Sequence, residues 1–482
     1  MLIKGSNSVA KNSSKANRKI SRRQFLGATA TLAIGGVAVP GTGSGDVASK
    51  FADCDYDVII IGGGNAGVAA ARDSMENGYK TLLLEARNRL GGRTFSSEFD
   101  GDKVELGGAW IHHTQPFVWA EVERYELEIT EAPGADPDTM YVIMDGKRTA
   151  LSEKQYVEVA AGWGIYHRAA RSIMPRVWDI LHNRDAALTA DKINAIEHLD
   201  SLELSPLQYT FIFGFISGMA SNHPQQMSYL EVMRWHLAGG GFFPTFMDSV
   251  VRFSLKDGTA SLINKMIEDG APEVRLSSVV KSVEDRGDKV IVTTVRGDHF
   301  SCDAVINCLP MNTIADIKFT PALPKGVVEA GKKRHCGSGL KIYIKVRGDV
   351  GNIATVAVGN PFDYVMTYKQ ASGYTLLVAF GKDPAAVDVY DDEDVQKALD
   401  AHLPGVEVLS TMSYDWNNDP YAKGTWAVYR PGWVNKYYDQ FQKDYGRIFF
   451  GSSDHGEGWR GFIDGAIGGG IKAAQRVNEF LG

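Results

Sequence analysis

Residues 56–95, YDVIIIGGGNAGVAAARDSMENGYKTLLLEARNRLGGRTF, decide the fold. Residues 56–61 form a near-continuous apolar run, as expected of a parallel strand covered on both faces. The run enters Gly62-Gly63-Gly64-Asn65-Ala66-Gly67, then an Ala-rich amphipathic stretch that Gly78 stops, then a second strand over 80–84 ended by Glu85. This is a complete βαβ unit. Gly62 permits the tight turn, Gly64 admits the backbone to a pyrophosphate, and Gly67 lets the helix pack closely on the strand. Asn65 and Ala66 open a helix whose free N–H groups and dipole suit phosphate. Glu85, eighteen residues after Gly67, is spaced to accept hydrogen bonds from ribose hydroxyls.

The unit specifies a dinucleotide without choosing between FAD and NAD. The next segment bears on that choice. Ala86 and Arg87 lead into a glycine pair, Gly91-Gly92, set between Arg89 and Arg93, and Gly107-Gly108-Ala109-Trp110 repeats the device. Backbone without side chains can pass close to a large ligand, and arginines can meet phosphate with paired donors.

These motifs carry a family likeness. Residues 56 to about 125, with LLLEARNRLGGRTF and ELGGAWIHHTQPFVWAEV, resemble the flavin-containing amine oxidase, or monoamine oxidase, family. Within it they are similar to the exported bacterial subgroup acting on nicotine and pseudooxynicotine. The resemblance implies an α/β fold of two domains: a Rossmann-type FAD-binding domain and a substrate domain of mixed sheet and helices. We place the former at 51–140, 250–315 and 440–482, the latter at 141–249 and 316–439. Strands are expected over 274–280, 289–294 and 303–310, with a further strand over 424–429.

The resemblance also implies site roles. The backbone at Val280 contacts the adenine, and Lys341 holds a water against flavin N5. Asp454, where the family usually has Glu, lies on the ribityl side. The last helix begins beneath the flavin near Ile463. Trp426 and Phe462 flank the substrate nitrogen, and Trp110 lines the same cavity. A neutral amine would pass hydride to N5, and the imine would hydrolyse. Nicotine-oxidising members can carry Asn at the position of Phe462, so the aromatic here points to a secondary or N-methyl amine such as pseudooxynicotine. No cysteine follows Cys336, so FAD is expected to bind without a covalent link. The electron acceptor is oxygen or a cytochrome c.

The amino-terminal stretch has its own signal. Ser21-Arg22-Arg23-Gln24-Phe25-Leu26-Gly27 precedes a short Ala/Gly-rich run, which matches a twin-arginine export signal within residues 1–45 and hence the twin-arginine translocase and a periplasmic location. Residues 1–45 hold seven Lys and Arg and no acid, so the chain's formal charge of −7 doubles without them. An acidic remainder argues against nucleic acid as a partner. The four cysteines, Cys54, Cys302, Cys308 and Cys336, have no metal-ligand spacing, and no metal is expected. The oligomeric state, monomer or homodimer, stays open. Competing readings are another flavin oxidase or desaturase, acting on amino acids or polyamines, and a non-enzymatic redox protein. The GGAWIHH segment offers no arginine for an amino-acid carboxylate.

Overall fold

The computed structural model describes residues 54–482. The strand Tyr56–Ile61 pairs in parallel with Thr81–Leu84 on one side and His299–Asn307 on the other, Ile60 opposite both Leu83 and Ile306. Side chains alternate across a strand, so Val58 and Ile60 enter one core with Ala66, Val68 and Ile467, while Ile59 and Ile61 enter another with Leu82 and Leu84. Burial on both faces explains the unbroken apolar run.

Eight strands complete this sheet. From Glu273–Arg275 at one edge it runs through the three central strands to Val290–Thr294, Val280–Asp285 and Lys318–Thr320, with Ile448–Phe450 joining His299–Asn307. The helix Asn65–Glu76 connects the first two strands and ends at Asn77, with Gly78 at φ +89°. The last helix, Ile463–Leu481, packs along it.

A second sheet of seven strands runs Val408–Ser413, Leu340–Arg347, Tyr374–Gly381, Tyr364–Ala371, Ile353–Ala357, Thr139–Met144 and Lys147–Ala150. It is antiparallel except where Ile353–Ala357 meets Thr139–Met144, so the sheet is mixed. Helices fill the interval between Glu153 and Val251, three of them opened by reciprocal capping boxes at Ser152, Asn194 and Ser205. All four cysteines are free; Cys302 sits within a strand and Cys308 directly after it.

Two expected strands need correction. Residues 274–280 are not one strand: Glu273–Arg275 pairs with Thr81–Leu84, the chain turns at Ser277 (φ +54°), and Val280 begins a different strand. The turn is held because the Ser277 and Ser278 amides donate to the carbonyls of Arg87 and Glu85, both at 2.8 Å. Residues 424–429 form no strand either. They run irregularly beside 335–337, with Thr425 N donating to Gly337 O and Cys336 N to Val428 O, each at 3.0 Å. Gly424 enters this path at φ +147°, which no regular strand allows. The twin-arginine stretch lies outside the described residues.

Candidate active site

At the end of the first strand Gly62 adopts φ +100°, and the chain turns into the helix Asn65–Glu76. A Cβ on Gly67 would lie 1.8 Å from the Gly62 carbonyl oxygen, so only glycine lets the helix seat here. The Glu85 carboxylate crosses this turn: it accepts from Gly63 N at 2.7 Å and from Arg87 N at 2.8 Å. Gly92, at φ +59°, packs on Gly64, where a Cβ would come within 3.1 Å of the Gly64 Cα. The second glycine loop therefore docks directly on the first. A Cβ on Gly64 would make only ordinary contacts, and its small profile leaves the cradle open.

The arginines use their donors mostly on the protein. Arg87 is paired with Asp419 and lies over the Tyr421 ring. Arg93 donates to Asp454, to Ser453 Oγ at 2.7 Å and to the Thr425 carbonyl at 2.9 Å. Arg89 caps the carbonyls of Leu90, Gly92 and Thr94 and stacks on Phe95. Together they fix the loop that walls the cradle.

The wall continues through Gly107, Gly108 and Ala109 to Trp110. Gly107 touches the Arg93 carbonyl so closely that an added Cβ would stand 2.0 Å from its oxygen. Lys341, on the strand Leu340–Arg347, is buried here; its Nζ donates to the carbonyls of Glu105 (2.5 Å) and Gly107 (2.9 Å) and lies 4.8 Å from the Trp110 ring centre. Burial pushes the Lys341 amine well below the ordinary lysine range, against the attraction of the Glu105 carboxylate. Glu105 in turn is raised by burial, although Ser96 and Thr259 donate to it.

Aromatic rings close the site. Trp110 meets Phe380 at 5.9 Å between centroids, and Phe380 meets Trp426 at 6.4 Å. Trp426 Nε1 donates to the Met219 carbonyl at 2.9 Å, which fixes the indole plane. Phe462 caps the last helix and stacks edge-on against Trp235 and Trp459. In the first turn of that helix, Asp464 accepts from Phe117 N (2.7 Å) and Val118 N (3.1 Å), tying two helix N-termini together.

One cavity of about 560 Å³ joins these parts. Its walls include Val280 and Lys281, then Gly62, Gly64, Asn65, Ala66, Glu85, Ala86, Arg87, Gly92 and Arg93, and Gly107, Gly108, Ala109 and Trp110. Lys341, Trp426, Phe462 and Ile463 line it as well, Lys341 beside Trp110 and Ile463 beside Gly108. Two expected residues stand behind the wall. Gly67 is buried in the helix–strand contact, and Asp454 is fully buried, accepting from Arg93, from Ser453 Oγ at 2.9 Å and from Met311 N at 2.9 Å. Burial alone would raise the Asp454 carboxyl, but the Arg93 guanidinium holds it below the usual carboxylate range. Asp454 thus reaches the cavity through Arg93.

Sequence reading missed several wall residues: Phe215, Trp235, Phe246, Tyr364 and Phe380. Their sequence signal is that of apolar helix and strand positions, which read as core. A cavity lined both by a glycine cradle with a ribose-type acid and by a set of aromatic rings fits a dinucleotide carrying a flat ring system.

Comparison with known proteins agrees with this geometry. The family described as "Flavin containing amine oxidoreductase" matches residues 65–478. The chain is 41% identical to a pseudooxynicotine dehydrogenase of Pseudomonas sp, over 96% of each chain. It is 34% identical to a nicotine dehydrogenase of Pseudomonas putida, over 97% of this chain and 99% of the relative. Among solved structures, a putrescine oxidase shares the fold with a TM-score of 0.78 at 20% identity, covering 88% of this chain and 98% of that one. The cyclohexylamine oxidase of Brevibacterium oxydans does so at 0.77 and 19%, covering 89% and 99%. The chain therefore belongs to the flavin-containing amine oxidoreductase family and is an enzyme of that class.

Proposed function

We propose that this enzyme binds FAD without a covalent link and oxidises a secondary or N-methyl amine related to nicotine and pseudooxynicotine. The observation that carries the reading is the single cavity running from the glycine cradle to the rings of Trp426 and Phe462. The likeness to relatives named for pseudooxynicotine and nicotine supports the substrate class. When bound, FAD supplies a two-electron acceptor at N5 for the hydride leaving the carbon next to the amine nitrogen.

The residues perform the rest. Glu85 receives ribose hydroxyls, the amides around Gly64, Asn65 and Ala66 receive phosphate, and the N-terminus of the last helix at Ile463 favours negative charge beside it. Trp426 and Phe462 align the amine between two aromatic faces and disfavour a bulky charged group there. Burial drives Lys341 toward its neutral form, in which two N–H bonds serve the Glu105 and Gly107 carbonyls and one lone pair remains to hold a water or accept a proton. The imine product then takes up water and breaks down to a carbonyl compound and a smaller amine.

Electrons then pass to oxygen or to a basic cytochrome c drawn by the acidic chain. The dehydrogenase names of the two Pseudomonas relatives favour an acceptor other than oxygen. The twin arginines Arg22 and Arg23 direct the folded enzyme to the periplasm through the twin-arginine translocase, and replacing both with lysine should retain it in the cytoplasm on cell fractionation. The central test is anaerobic bleaching of the yellow protein by N-methyl and secondary amines. A spectrum that no amine changes overturns the proposal; colour that stays with acid-precipitated protein overturns non-covalent binding.

A further inference from the structure

The cavity wall at Phe462 is held from behind by a charged cluster that the chemistry at Lys341 and Trp426 does not use. Glu231 and Arg234 lie on the helix Tyr229–Ala238, and Arg460 lies in the segment 457–462, which has no helix or strand of its own. Each of the three is at most 1% exposed. Glu231 accepts from Arg234 Nη2 at 2.8 Å and from the Arg460 guanidinium, and Arg460 lies 3.8 Å from the Tyr429 ring centre. Two cations share one carboxylate, so the cluster buries an excess positive charge. Buried ion clusters add little stability over apolar packing of similar volume. What the guanidinium of Arg234 supplies is geometry, a rigid planar fork of donors.

That fork is aimed at backbone. Arg234 Nη1 donates to the Gly458 carbonyl at 2.5 Å, and Nη2 donates to the Arg460 carbonyl at 3.2 Å. One rigid group therefore fixes two carbonyls two residues apart. Directly beyond them Gly461 turns at φ +86°, where a Cβ would come within 2.7 Å of the Ala427 carbonyl oxygen, and Phe462 follows. Trp235, next to Arg234 on the same helix, packs edge-on against the Phe462 ring at 4.6 Å between centroids. Trp459, between the two held carbonyls, does so at 4.8 Å, and its Nε1 donates to the Thr114 carbonyl at 2.9 Å. One helix thus grips both the backbone that leads to Phe462 and the ring itself. Arg234 does not line the cavity.

We infer that Arg234 is a positioning residue, which sets the place of the Phe462 ring beside the reacting amine by holding the Gly458 and Arg460 carbonyls. The inference rests on the reading that Phe462 flanks that amine. A lysine at this position keeps the charge, but a single point donor on a flexible stem cannot hold two carbonyls and Glu231 in one plane.

The test is a double-mutant cycle on the FAD-loaded enzyme, mixed rapidly with an N-methyl amine in the absence of oxygen. The limiting rate of flavin reduction should fall about a hundredfold in Arg234→Met and at least about tenfold in Arg234→Lys, since a misplacement of about 1 Å suffices for such losses. In the Phe462→Ala background, where the ring is gone, Arg234→Lys should change that rate by less than about threefold. Equal losses in the two backgrounds overturn the inference, because a role in folding alone acts with or without the ring. If Arg234→Met comes out without FAD, Arg234→Lys decides; absence of FAD from both assigns Arg234 to folding and overturns the positioning role. Fluorine NMR of the FAD-loaded enzyme carrying 4-fluorophenylalanine reads the ring without turnover. The resonance missing from Phe462→Leu should shift or broaden in Arg234→Lys, and an unmoved resonance overturns the inference. If no amine reduces the wild-type flavin yet that resonance moves, the proposed function fails and the hold of Arg234 on the ring stands.

Discussion

Lys341 has two carbonyl acceptors within reach and a ring system over it, and its burial shifts the balance toward the neutral amine. A lysine lowered to about 7 binds fewer protons folded than unfolded between that value and its ordinary one. Stability should therefore rise with pH across that window, with the full cost of burying the charge present below it. The same protonation removes the lone pair, so flavin reduction should rise with pH through the neutral region. In Lys341→Met that dependence should flatten and reduction slow about a hundredfold, with FAD still bound; unchanged turnover in rapid mixing would remove Lys341 from the chemistry. Glu85 gives a separate expectation. Glu85→Ala leaves the Gly63 and Arg87 amides without their acceptor and would remove the proposed ribose contact, so FAD affinity should fall at least about tenfold in a visible-absorbance titration.

Between elements, the decisive contact is the last helix on the first. A Cβ on Gly470 would lie 2.0 Å from the Ala66 carbonyl oxygen, inside the turn that opens toward phosphate. Gly470→Val should force the helices apart, destabilise the fold by about 3 kcal/mol in chemical denaturation and release the cofactor; a variant with wild-type midpoint and colour would refute this coupling. At this scale the sequence was legible where local constraints are strict. Gly62 reads as a tight turn and sits at φ +100°, and Gly67 reads as a close packing point, where a Cβ would meet the Gly62 carbonyl; Gly107 reads as backbone passing a ligand, and what it meets at close range in the protein is the Arg93 carbonyl. The interval 424–429 was not legible, because its β-rich residues pair with the irregular segment 335–337 instead of a sheet edge. The turn at Ser277 was hidden for a similar reason: its bonds go to Glu85 and Arg87, nearly two hundred positions away. Phe215, Trp235, Phe246 and Tyr364 carry no local mark at all; only tertiary packing turns ordinary core positions into a chamber wall.

At the scale of the molecule, both sheets contribute to one cavity, with Glu85 and Val280 beside the first and Lys341, Tyr364 and Phe380 from the second. A ligand spanning it should stabilise the whole described body as a unit. FAD added to apoprotein at a hundredfold excess over Kd should add about 2.7 kcal/mol of stability, read as a single raised transition in calorimetry. A second transition left unmoved would show that the parts melt separately.

The sheet that opens with Tyr56–Ile61 is completed by Ile448–Phe450. The first strand's own second neighbour, His299–Asn307, follows it by about 240 residues, so at about 5–20 residues per second it waits roughly 12–48 s for that strand to be made, and the last strand comes later still. During that interval its apolar edge stands uncovered, and the cavity wall is complete only once the final helix Ile463–Leu481, which packs on Asn65–Glu76, has been made. Maturation of this enzyme is thereby tied to the end of its own synthesis.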